Sequence, residues 1–373
     1  MASLKELTSG YIVPLQNPKP DAERFIATLM GKAQPERPPL IEYLIDPFVM
    51  RPILEELMGR KWVDPNPTQP DTVAAYLDNF IAFWEAMGYD FVRFEMALPF
   101  SFQTLLAHDT APGTNKDRGW ADQHRGPIMS REDFEAYKWP ILEQFDWSWL
   151  EYINSHLPEG MGLISCHAGG VFEHLEYLMS YEGLALALFD DPDLVQAITD
   201  KLGELFVSFY KQLLKLDKLI AVFPGDDMGF KTGTLISPDD LRKYILPWHK
   251  RFAQLTHEAG LPYFLHSCGN ILDLMEDFIT DVKIDAKHSY EDVIISAPDF
   301  QVRYGDRIAV LGGIDVDILT RGTPDEVRAY VRGYIEQCHP RGRYAVGAGN
   351  SVPSYIPAIN YLTMLDETLK YPG

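Results

Sequence analysis

Cysteine is scarce in this sequence, which has only Cys166, Cys268 and Cys338 among 373 residues. Three thiols cannot build a disulfide framework, and such low cysteine usage favours a reducing compartment. Long apolar runs are also missing, since no stretch reaches the roughly 20 residues that a membrane-spanning helix requires. The first fifteen residues lack the basic-then-apolar order of a secretory signal. We therefore expect a cytoplasmic protein that has no membrane partner.

Clusters of basic residues are absent as well. The chain has 33 Lys and Arg against 54 Asp and Glu, which gives a formal net charge of −21. A field of this sign repels phosphate backbones and anionic lipids, so the charge argues against nucleic acid as a partner. Solubility is one explanation for such a charge, and complementarity to a basic protein is the alternative.

Eight short apolar segments alternate with longer amphipathic segments along the chain. Each is rich in β-branched and aromatic residues and stops at Gly, Asp or Asn, which is typical of buried strands. Strand–helix alternation repeated eight times predicts an α/β fold of the (β/α)8 TIM barrel type. A doubly wound open sheet is the alternative, but its GxGxxG fingerprint is missing. The predicted strands lie within 40–46, 89–96, 162–169, 219–228, 261–269, 283–291, 308–316 and 343–352.

Three of the intervening segments carry clear helix signals. Residues 72–88 have apolar side chains at helical spacing and end at Gly88. Residues 237–260 begin with Ser-Pro and end with Gly, and residues 323–338 begin with Thr-Pro-Asp. A small polar residue before Pro at the start and Gly at the end are helix boundary signals.

Two segments depart from a minimal barrel. Residues 1–39 precede the first predicted strand, and we expect an N-terminal helical extension there, with a helix around ERFIATLMGK at the barrel bottom. The rest of the chain, 40–373, is predicted to be a single barrel domain. Within it, residues 97–135 follow the second predicted strand as a loop insertion at the catalytic face, either a substrate cap or a mobile surface loop.

Polar side chains at the carboxyl ends of barrel strands point into the active site of this fold. The predicted strands place ten metal-competent or acid–base residues at these ends. We expect the chemistry of the protein to come from this set. Its members are Glu95, Cys166, His167, Asp226, Asp227, His266, Cys268, His288, Asp315 and Asn350.

The segment His266-Ser267-Cys268-Gly269 is the most specific feature of the set. Side chains two residues apart face the same side of a strand, so the imidazole of His266 and the thiol of Cys268 are expected to lie together. An imidazole and a thiolate on one face form half of a Zn²⁺ site. The alternative is a buried histidine beside an inert buried cysteine.

Asp226 and Asp227 follow Phe-Pro-Gly at the end of the fourth predicted strand. Adjacent carboxylates raise the pKa of one of them, which suits a general acid, and either can complete a metal shell. A turn with both acids solvated is the alternative. His167 and His288 also end predicted strands and are candidate proton donors, with a structural role as the alternative.

The sequence resembles the uroporphyrinogen decarboxylase superfamily, which contains the decarboxylase and a large group of corrinoid-linked methyltransferases. The resemblance covers nearly the whole chain from about residue 36 and implies a TIM barrel. It rests on the segments LIEYLIDPFVMRPILEELMG, AGGVFEHLEYLM, GDDMG, FLHSCGNI, VLGGID and GAGNSVP.

Most features that the decarboxylase branch implies are missing. Its arginine-rich MRQAGR segment falls on IEYLIDPFVMRP, and its essential aspartate falls on Ala97, with Glu95 two residues earlier. Its late histidine in a GHG turn falls on Asn350, whereas Tyr177 does match an active-site tyrosine of the decarboxylase. A tetra-acidic porphyrinogen would also meet an acidic protein. These departures favour the methyltransferase branch.

The methyltransferase branch is similar to this chain through its zinc site, which a His, a Cys, a later Cys and usually an acid form. His266 and Cys268 match that pattern, and the later Cys falls on Asn350. An amide is a poor substitute for a thiolate, which weakens the case for a coenzyme-thiol acceptor. The resemblance thus implies either a site without metal that uses acids alone or a shell with another ligand. The candidates for that ligand are Asp226, Asp227 and Cys166.

The leading hypothesis is a methyltransferase that moves a methyl group between a small O-methyl or N-methyl donor and a corrinoid (cobalamin) on a partner protein. The enzyme's task is then to hold the methyl group in line and to protonate or coordinate the leaving group. The expected catalytic residues are Asp226, Asp227, His167, His288, Tyr177 and Asn350. The expected zinc ligands are His266, Cys268 and Asp226, and the expected substrate-binding residues are Glu95, Phe100, Phe102 and Trp120.

Two other functions stay open at this point. One is decarboxylation of a porphyrinogen or another acid, which the superfamily resemblance alone suggests. The other is a tetrapyrrole-binding protein without catalysis, which the substitution at Asn350 suggests. The resemblance also implies a possible homodimer, for which the sequence shows no interface.

Overall fold

The protein is described by a computed structural model that covers residues 3–102, 104–108 and 117–372. Within this part, the side chains of residues 104, 106–108 and 117–121 are not described. The strands in chain order are β1 Phe91–Met96, β2 Thr104–His108, β3 Asp117–Ala121, β4 Gly162–His167, β5 Leu219–Val222, β6 Gly229–Phe230, β7 Gly233–Thr234, β8 Phe264–His266, β9 Ala286–His288, β10 Ala309–Leu311 and β11 Tyr344–Ala345.

The parallel strands form a barrel in chain order. Strands β1, β4 and β5 form one parallel sheet, and β8 to β11 form another. Parallel bridges of Val222 to Tyr263 and of Gly225 to His266 join the two sheets. A bridge between Leu40 and Val346 adds the first predicted strand beside β11. The predicted (β/α)8 barrel is thus confirmed, and each predicted strand contributes one segment to it.

The helices connect these strands. They are α1 Leu4–Leu7, α2 Ala22–Leu29, α3 Pro47–Pro52, α4 Pro70–Ala86, α5 Arg131–Ala136, α6 Ser148–His156, α7 Val171–Met179, α8 Tyr181–Asp190, α9 Pro192–Leu213, α10 Pro238–Asp240, α11 Leu246–Glu258, α12 Met275–Asp277, α13 Ala297–Tyr304, α14 Val316–Arg321, α15 Pro324–Cys338 and α16 Ala358–Lys370. Short π turns cover Ile53–Leu57, Leu241–Ile245 and Phe278–Val282, and 3-10 turns cover Leu142–Gln144, Leu272–Leu274 and His339–Arg341.

The three helices that the boundary signals predict are present. The segments 72–88 and 323–338 correspond to α4 and α15. The segment 237–260 is divided into α10, a π turn over Leu241–Ile245 and α11. Pro247 explains the division, because its ring has no N–H to donate and collides with the preceding turn of a regular helix.

The N-terminal segment contacts the barrel end where the strands begin. Helix α2 overlaps the predicted helix around ERFIATLMGK, begins one residue before it at Ala22 and is capped by the side chain of Asp21. The Asp21 N–H donates to Asp90 Oδ1 over 2.8 Å, and the Ala22 N–H donates to the Gly160 carbonyl over 2.9 Å. Asp90 directly precedes β1 and Gly160 lies just before β4, so α2 lies at the amino ends of the strands. The division into an extension and a barrel domain stays a prediction.

The segment after β1 contains an antiparallel hairpin. Strand β2 pairs with β3 so that Leu105 lies opposite Trp120. The residues between these strands, 109–116, lie outside the described part of the chain, as does the side chain of Trp120. The role of 97–135 as a substrate cap stays a prediction.

None of the helices in the described ranges is long and apolar enough to cross a membrane.

Candidate functional site

Pairing of β5 with β8 brings two predicted site segments together. Past the end of β5, the segment around Asp226 continues to pair with β8. The His266 N–H donates to the Pro224 carbonyl and the Asp226 N–H donates to the His266 carbonyl, each over 3.0 Å. This register places Asp227 beside Cys268, whose N–H donates to Asp227 Oδ1 over 2.8 Å. The carboxyl ends of two neighbouring strands therefore deliver one carboxylate, one imidazole and one thiol to the same point.

The donor atoms of Asp227, His266 and Cys268 form a compact triad, all within 4.8 Å of one another. His266 Nε2 lies 3.3 Å from Cys268 Sγ and 3.5 Å from Asp227 Oδ1. Tetrahedral zinc with ordinary bond lengths separates such ligand atoms by about 3.3–3.6 Å. The two distances from His266 Nε2 thus match a Zn²⁺ site with three protein ligands, the arrangement in which the fourth position is left to water or substrate.

Asn350 lies next to this triad, and its orientation is determined by its neighbour in the chain. Its Oδ1 accepts from the Ser351 N–H over 2.7 Å, while its Nδ2 donates to Cys268 Sγ over 3.2 Å. The amide therefore presents a donor to the sulfur and no ligand oxygen to a metal. Asn350 also lines an open cleft of about 1030 Å³, together with Tyr290 and Tyr330.

The His266 ring is enclosed by two other aromatic side chains. The Tyr43 ring stacks on it at 4.0 Å between centroids, and His288 Nδ1 lies 2.7 Å from His266 Nδ1. His288 Nε2 lies 3.1 Å from the Ala348 carbonyl oxygen. Burial lowers the pKa of His266 and lowers that of His288 to about 3, so both imidazoles are neutral at pH 7.

Asp226, which the sequence predicts as a zinc ligand, faces away from the triad. Its Oδ2 lies 2.8 Å from His249 Nε2, and both side chains are fully buried. The N–H groups of Phe172 and Glu173, at the start of α7, donate to its two oxygens over 3.1 and 3.0 Å. Its acceptors are used by a histidine and a helix terminus, so the geometry favours Asp227 over Asp226 as the ligand and as the acid.

His167 and Cys166 also lie apart from the triad. As consecutive residues of β4 they face opposite sides of the strand, and neither side leads to the triad. His167 stacks on Phe206 of α9 at 3.9 Å between centroids, and burial lowers its pKa to about 3. Cys166 Sγ faces the barrel interior, 3.5 Å from Arg93 Nη2, and burial raises the pKa of its thiol. These positions do not support His167 as a proton donor or Cys166 as a metal ligand.

Helix α7 supplies an acidic and aromatic wall beside the triad. Burial, followed by the charges of Asp227 and Asp226, raises the pKa of Glu173. The same causes raise the pKa of Glu176, and burial with these carboxylates raises that of Tyr177 to about 12. Burial is the main cause of each shift and nearby carboxylates add to it, so a further negative charge is disfavoured there.

Two of the predicted substrate-binding aromatics pack against α7. The Phe102 ring contacts Tyr177 edge-on at 5.2 Å, and the Phe100 ring lies 4.5 Å from His174, both between centroids. Glu95, a third predicted residue, lies with its Oε2 2.8 Å from Arg93 Nη2. The carboxylate of Glu95 is thus paired with a buried guanidinium.

Four residues near the triad do not appear in the predicted set. Arg93 lies 3.6 Å over the Tyr43 ring, which in turn stacks on His266. Lys287 is buried and donates to the Ser289 carbonyl, and burial lowers its pKa to about 8. Glu173 is the fourth. Arg93 precedes Glu95 by two residues and so shares its face of β1, a signal from which Arg93 was predictable.

Residues 114–371 match the family model described as uroporphyrinogen decarboxylase (URO-D), which is more than half of the chain. The chain belongs to the uroporphyrinogen decarboxylase family. The resemblance that the sequence motifs indicate is thereby confirmed.

One sequence relative of this URO-D family member and one structurally similar protein are methyltransferases. A methylated-thiol–coenzyme M methyltransferase of Methanosarcina mazei is 28% identical over 187 residues, which are 49% of this chain and 47% of that protein. The chain thus matches about half the length of this relative. The solved structure of a methyltransferase from Methanosarcina mazei has a TM-score of 0.71 at 18% identity and covers 95% of this chain and 100% of its own. The structural match confirms the fold, and the sequence match supports the methyltransferase branch.

Proposed function

We propose that this URO-D family member is a methyltransferase that moves a methyl group between a small O-methyl or N-methyl donor and a corrinoid on a partner protein. The observation that carries the proposal is the triad of Asp227, His266 and Cys268, three metal-type donors at the catalytic rim of the barrel. The similarity to a methylated-thiol methyltransferase supports methyl transfer as the reaction class.

The donor set supports Zn²⁺ as the metal, because imidazole, thiolate and carboxylate are its usual ligands. Bound there, Zn²⁺ supplies a Lewis acid for the heteroatom that leaves the methyl group. His266 Nε2, Cys268 Sγ and Asp227 Oδ1 would hold it. The Asn350 Nδ2–H donates to the Cys268 sulfur and so stabilises negative charge on it.

The rest of the site orients the donor. Holding the methyl carbon in line between the departing heteroatom and the acceptor is the main task of such an enzyme. Phe102 and Tyr177 form an aromatic surface for the apolar part of the donor. The acidic groups of this wall lie close enough to Asp226 and Asp227 for their pKa values to be raised, so an anionic donor is disfavoured there relative to a neutral or cationic one.

The test is anaerobic mixing of the purified protein with cob(I)alamin and a panel of methoxylated aromatics and methylamines. We expect the absorption spectrum of methylcobalamin to appear with one donor class. His266→Ala should abolish the reaction, whereas alanine at His156, an exposed histidine of α6, should leave it unchanged. Full activity of His266→Ala would contradict the assignment of the triad as the active site.

Decarboxylation is the second candidate function, since the family model itself is that of the decarboxylase and Tyr177 lies at the acidic wall. The same wall opposes a substrate with several carboxylates. Incubation with uroporphyrinogen, followed by analysis of the product, tests for decarboxylation. A product that retains all the carboxylates of uroporphyrinogen excludes decarboxylation of this substrate. Binding of a tetrapyrrole without turnover in either assay would favour a non-catalytic protein.

A further inference from the structure

We infer that His288 is a positioning residue that holds His266 in the tautomer whose Nε2 lone pair faces Cys268 and Asp227. The inference deepens the proposed function and rests on the metal site in it. It assigns His288 a role through His266, in place of the direct proton transfer that the sequence suggests.

The Ala348 carbonyl accepts hydrogen bonds and cannot donate them. His288 Nε2 lies 3.1 Å from this oxygen, so this nitrogen must carry the hydrogen. The His288 ring is fully buried, and its two nitrogens contact the Ala348 oxygen and His266 Nδ1, neither of which is a carboxylate. A buried imidazole without such a counter-charge is neutral and has one N–H, which leaves His288 Nδ1 as an acceptor. In the opposite tautomer, the lone pair of His288 Nε2 would face a lone pair of the Ala348 oxygen across 3.1 Å.

The contact between the two histidines then determines the tautomer of His266. Its Nδ1 lies 2.7 Å from His288 Nδ1, a distance that requires one hydrogen between the two nitrogens. Because His288 Nδ1 is the acceptor, His266 Nδ1 is the donor, and His266 Nε2 is left without hydrogen. That nitrogen lies 3.3 Å from Cys268 Sγ and 3.5 Å from Asp227 Oδ1, at the point where a metal ligand is needed.

The backbone around His288 holds this chain of hydrogen bonds in place. The Ala348 N–H donates to Glu42 Oε1 over 3.0 Å. The Gly349 N–H, on the peptide whose carbonyl accepts from His288, donates to the Ile314 carbonyl over 2.6 Å. A Cβ at Gly312 would lie 2.3 Å from the Ala348 oxygen and 3.0 Å from His288 Nε2, so glycine is required there. Tyr43 stacks on His266 and keeps its ring in one plane.

The consequence is measurable as metal affinity. A partner that orients a metal-bound histidine typically changes the affinity for the metal by about 10–100-fold. Without His288, the His266 ring is free to place its hydrogen on Nε2, and a protonated Nε2 cannot bind a metal. The chain offers two informative replacements: asparagine, whose Oδ1 takes the place of the Nδ1 acceptor, and leucine, which has similar bulk but no acceptor.

The experiment is a Co²⁺ titration of the full-length protein, followed by the charge-transfer absorption of the cobalt–thiolate bond, with Zn²⁺ affinity from competition with a chelator. We expect His288→Leu to weaken both affinities by about 10–100-fold and His288→Asn to stay within about threefold of the native protein. Leucine at His156, exposed on α6, is the control. Thermal melting of each variant separates loss of the fold from loss of affinity.

Each outcome decides between explanations. Native affinity in a folded His288→Leu variant would overturn the inference and leave the proposed metal site intact. A folded His288→Asn variant as weak as His288→Leu would overturn the hydrogen-bond acceptor role. A native protein that binds neither metal would overturn this inference together with the metal site, and the methylcobalamin assay would then test methyl transfer by itself.

Discussion

Asp226 and Asp227 are adjacent in the chain but have opposite surroundings. Asp226 is fully buried and accepts from the start of α7 beside His249, whereas Asp227 faces the triad. A buried carboxylate with three hydrogen-bond partners stabilises the fold, because removing its charge leaves those partners unsatisfied. The two positions therefore predict two different phenotypes.

For Asp226→Asn we expect a loss of about 2–4 kcal/mol in the free energy of unfolding and no change in metal affinity, since the amide supplies one acceptor where several are needed. Chemical denaturation and the Co²⁺ titration measure the two quantities. A variant of native stability would show that the contact with His249 contributes little.

For Asp227→Asn we expect at least about a tenfold loss of metal affinity, with a stability change below about 1 kcal/mol. The amide oxygen still accepts from the Cys268 N–H, which holds the loop, but it is a weaker metal ligand than a carboxylate. If Asp226→Asn weakened metal binding and Asp227→Asn did not, the two assignments would have to be exchanged.

The HSCG loop that carries Cys268 depends on close contact with the hairpin of β6 and β7. The Asn270 N–H donates to the Phe230 carbonyl over 2.7 Å. A Cβ on Gly229 would lie 2.6 Å from the Cys268 carbonyl oxygen and 2.7 Å from Asn270 N, which is too close for any side chain. Glycine at 229 is thus a requirement of the element that positions a ligand.

Gly229→Ala should therefore displace the loop of Cys268 and lower metal affinity by about tenfold, a loss of the size that follows from disturbing a ligand's support. Gly233→Ala in the same hairpin is the matched control, because a Cβ there meets nothing within 4 Å. Equal metal affinity of the two variants would contradict the role of the hairpin.

Asp90 connects β1 to helix α2, and burial raises its pKa from 3.8 to about 6. Between pH 3.8 and about pH 6, the folded protein therefore holds a proton on Asp90 that the unfolded chain has already lost. Stability from this group is complete below pH 3.8 and is lost as the pH rises through about 6.

Asp90→Asn should remove this dependence, because the amide keeps the acceptor for the Asp21 N–H and has no charge to bury. Between pH 3.5 and pH 7.5, we expect the free energy of unfolding of the variant to rise relative to that of the native protein by up to about 3 kcal/mol. Denaturation across this pH range measures it, with the exposed Asp71→Asn as control. Parallel pH profiles would contradict the burial argument.

At the level of the whole molecule, a net charge of −21 surrounds a site that already holds several carboxylates. Such a field attracts cations and repels anions, and added salt screens both effects. For the proposed methyl transfer, kcat/KM with methylammonium donors should fall between low and high ionic strength, while that with methoxybenzoates should rise.

Local patterns were sufficient to predict the barrel and the pair His266 and Cys268. Apolar runs that stop at Gly or Asp identify strands, and a separation of two residues places both side chains on one face of a strand. Each of these properties is contained in a few consecutive residues. The strand positions followed from them, whereas the family and the place of Asn350 beside the thiol came from the resemblance of longer motifs to a known family.

The direction of each strand-end side chain depends on pairings between distant segments. The bridge of Gly225 with His266 turns Asp227 toward the triad and Asp226 toward α7. The phase of β4 turns His167 to the helices, although it ends its strand as His266 ends β8. Neighbours in sequence carry no information on these contacts, because hydrogen bonds and burial between segments far apart in the chain determine which face of a strand becomes the interior.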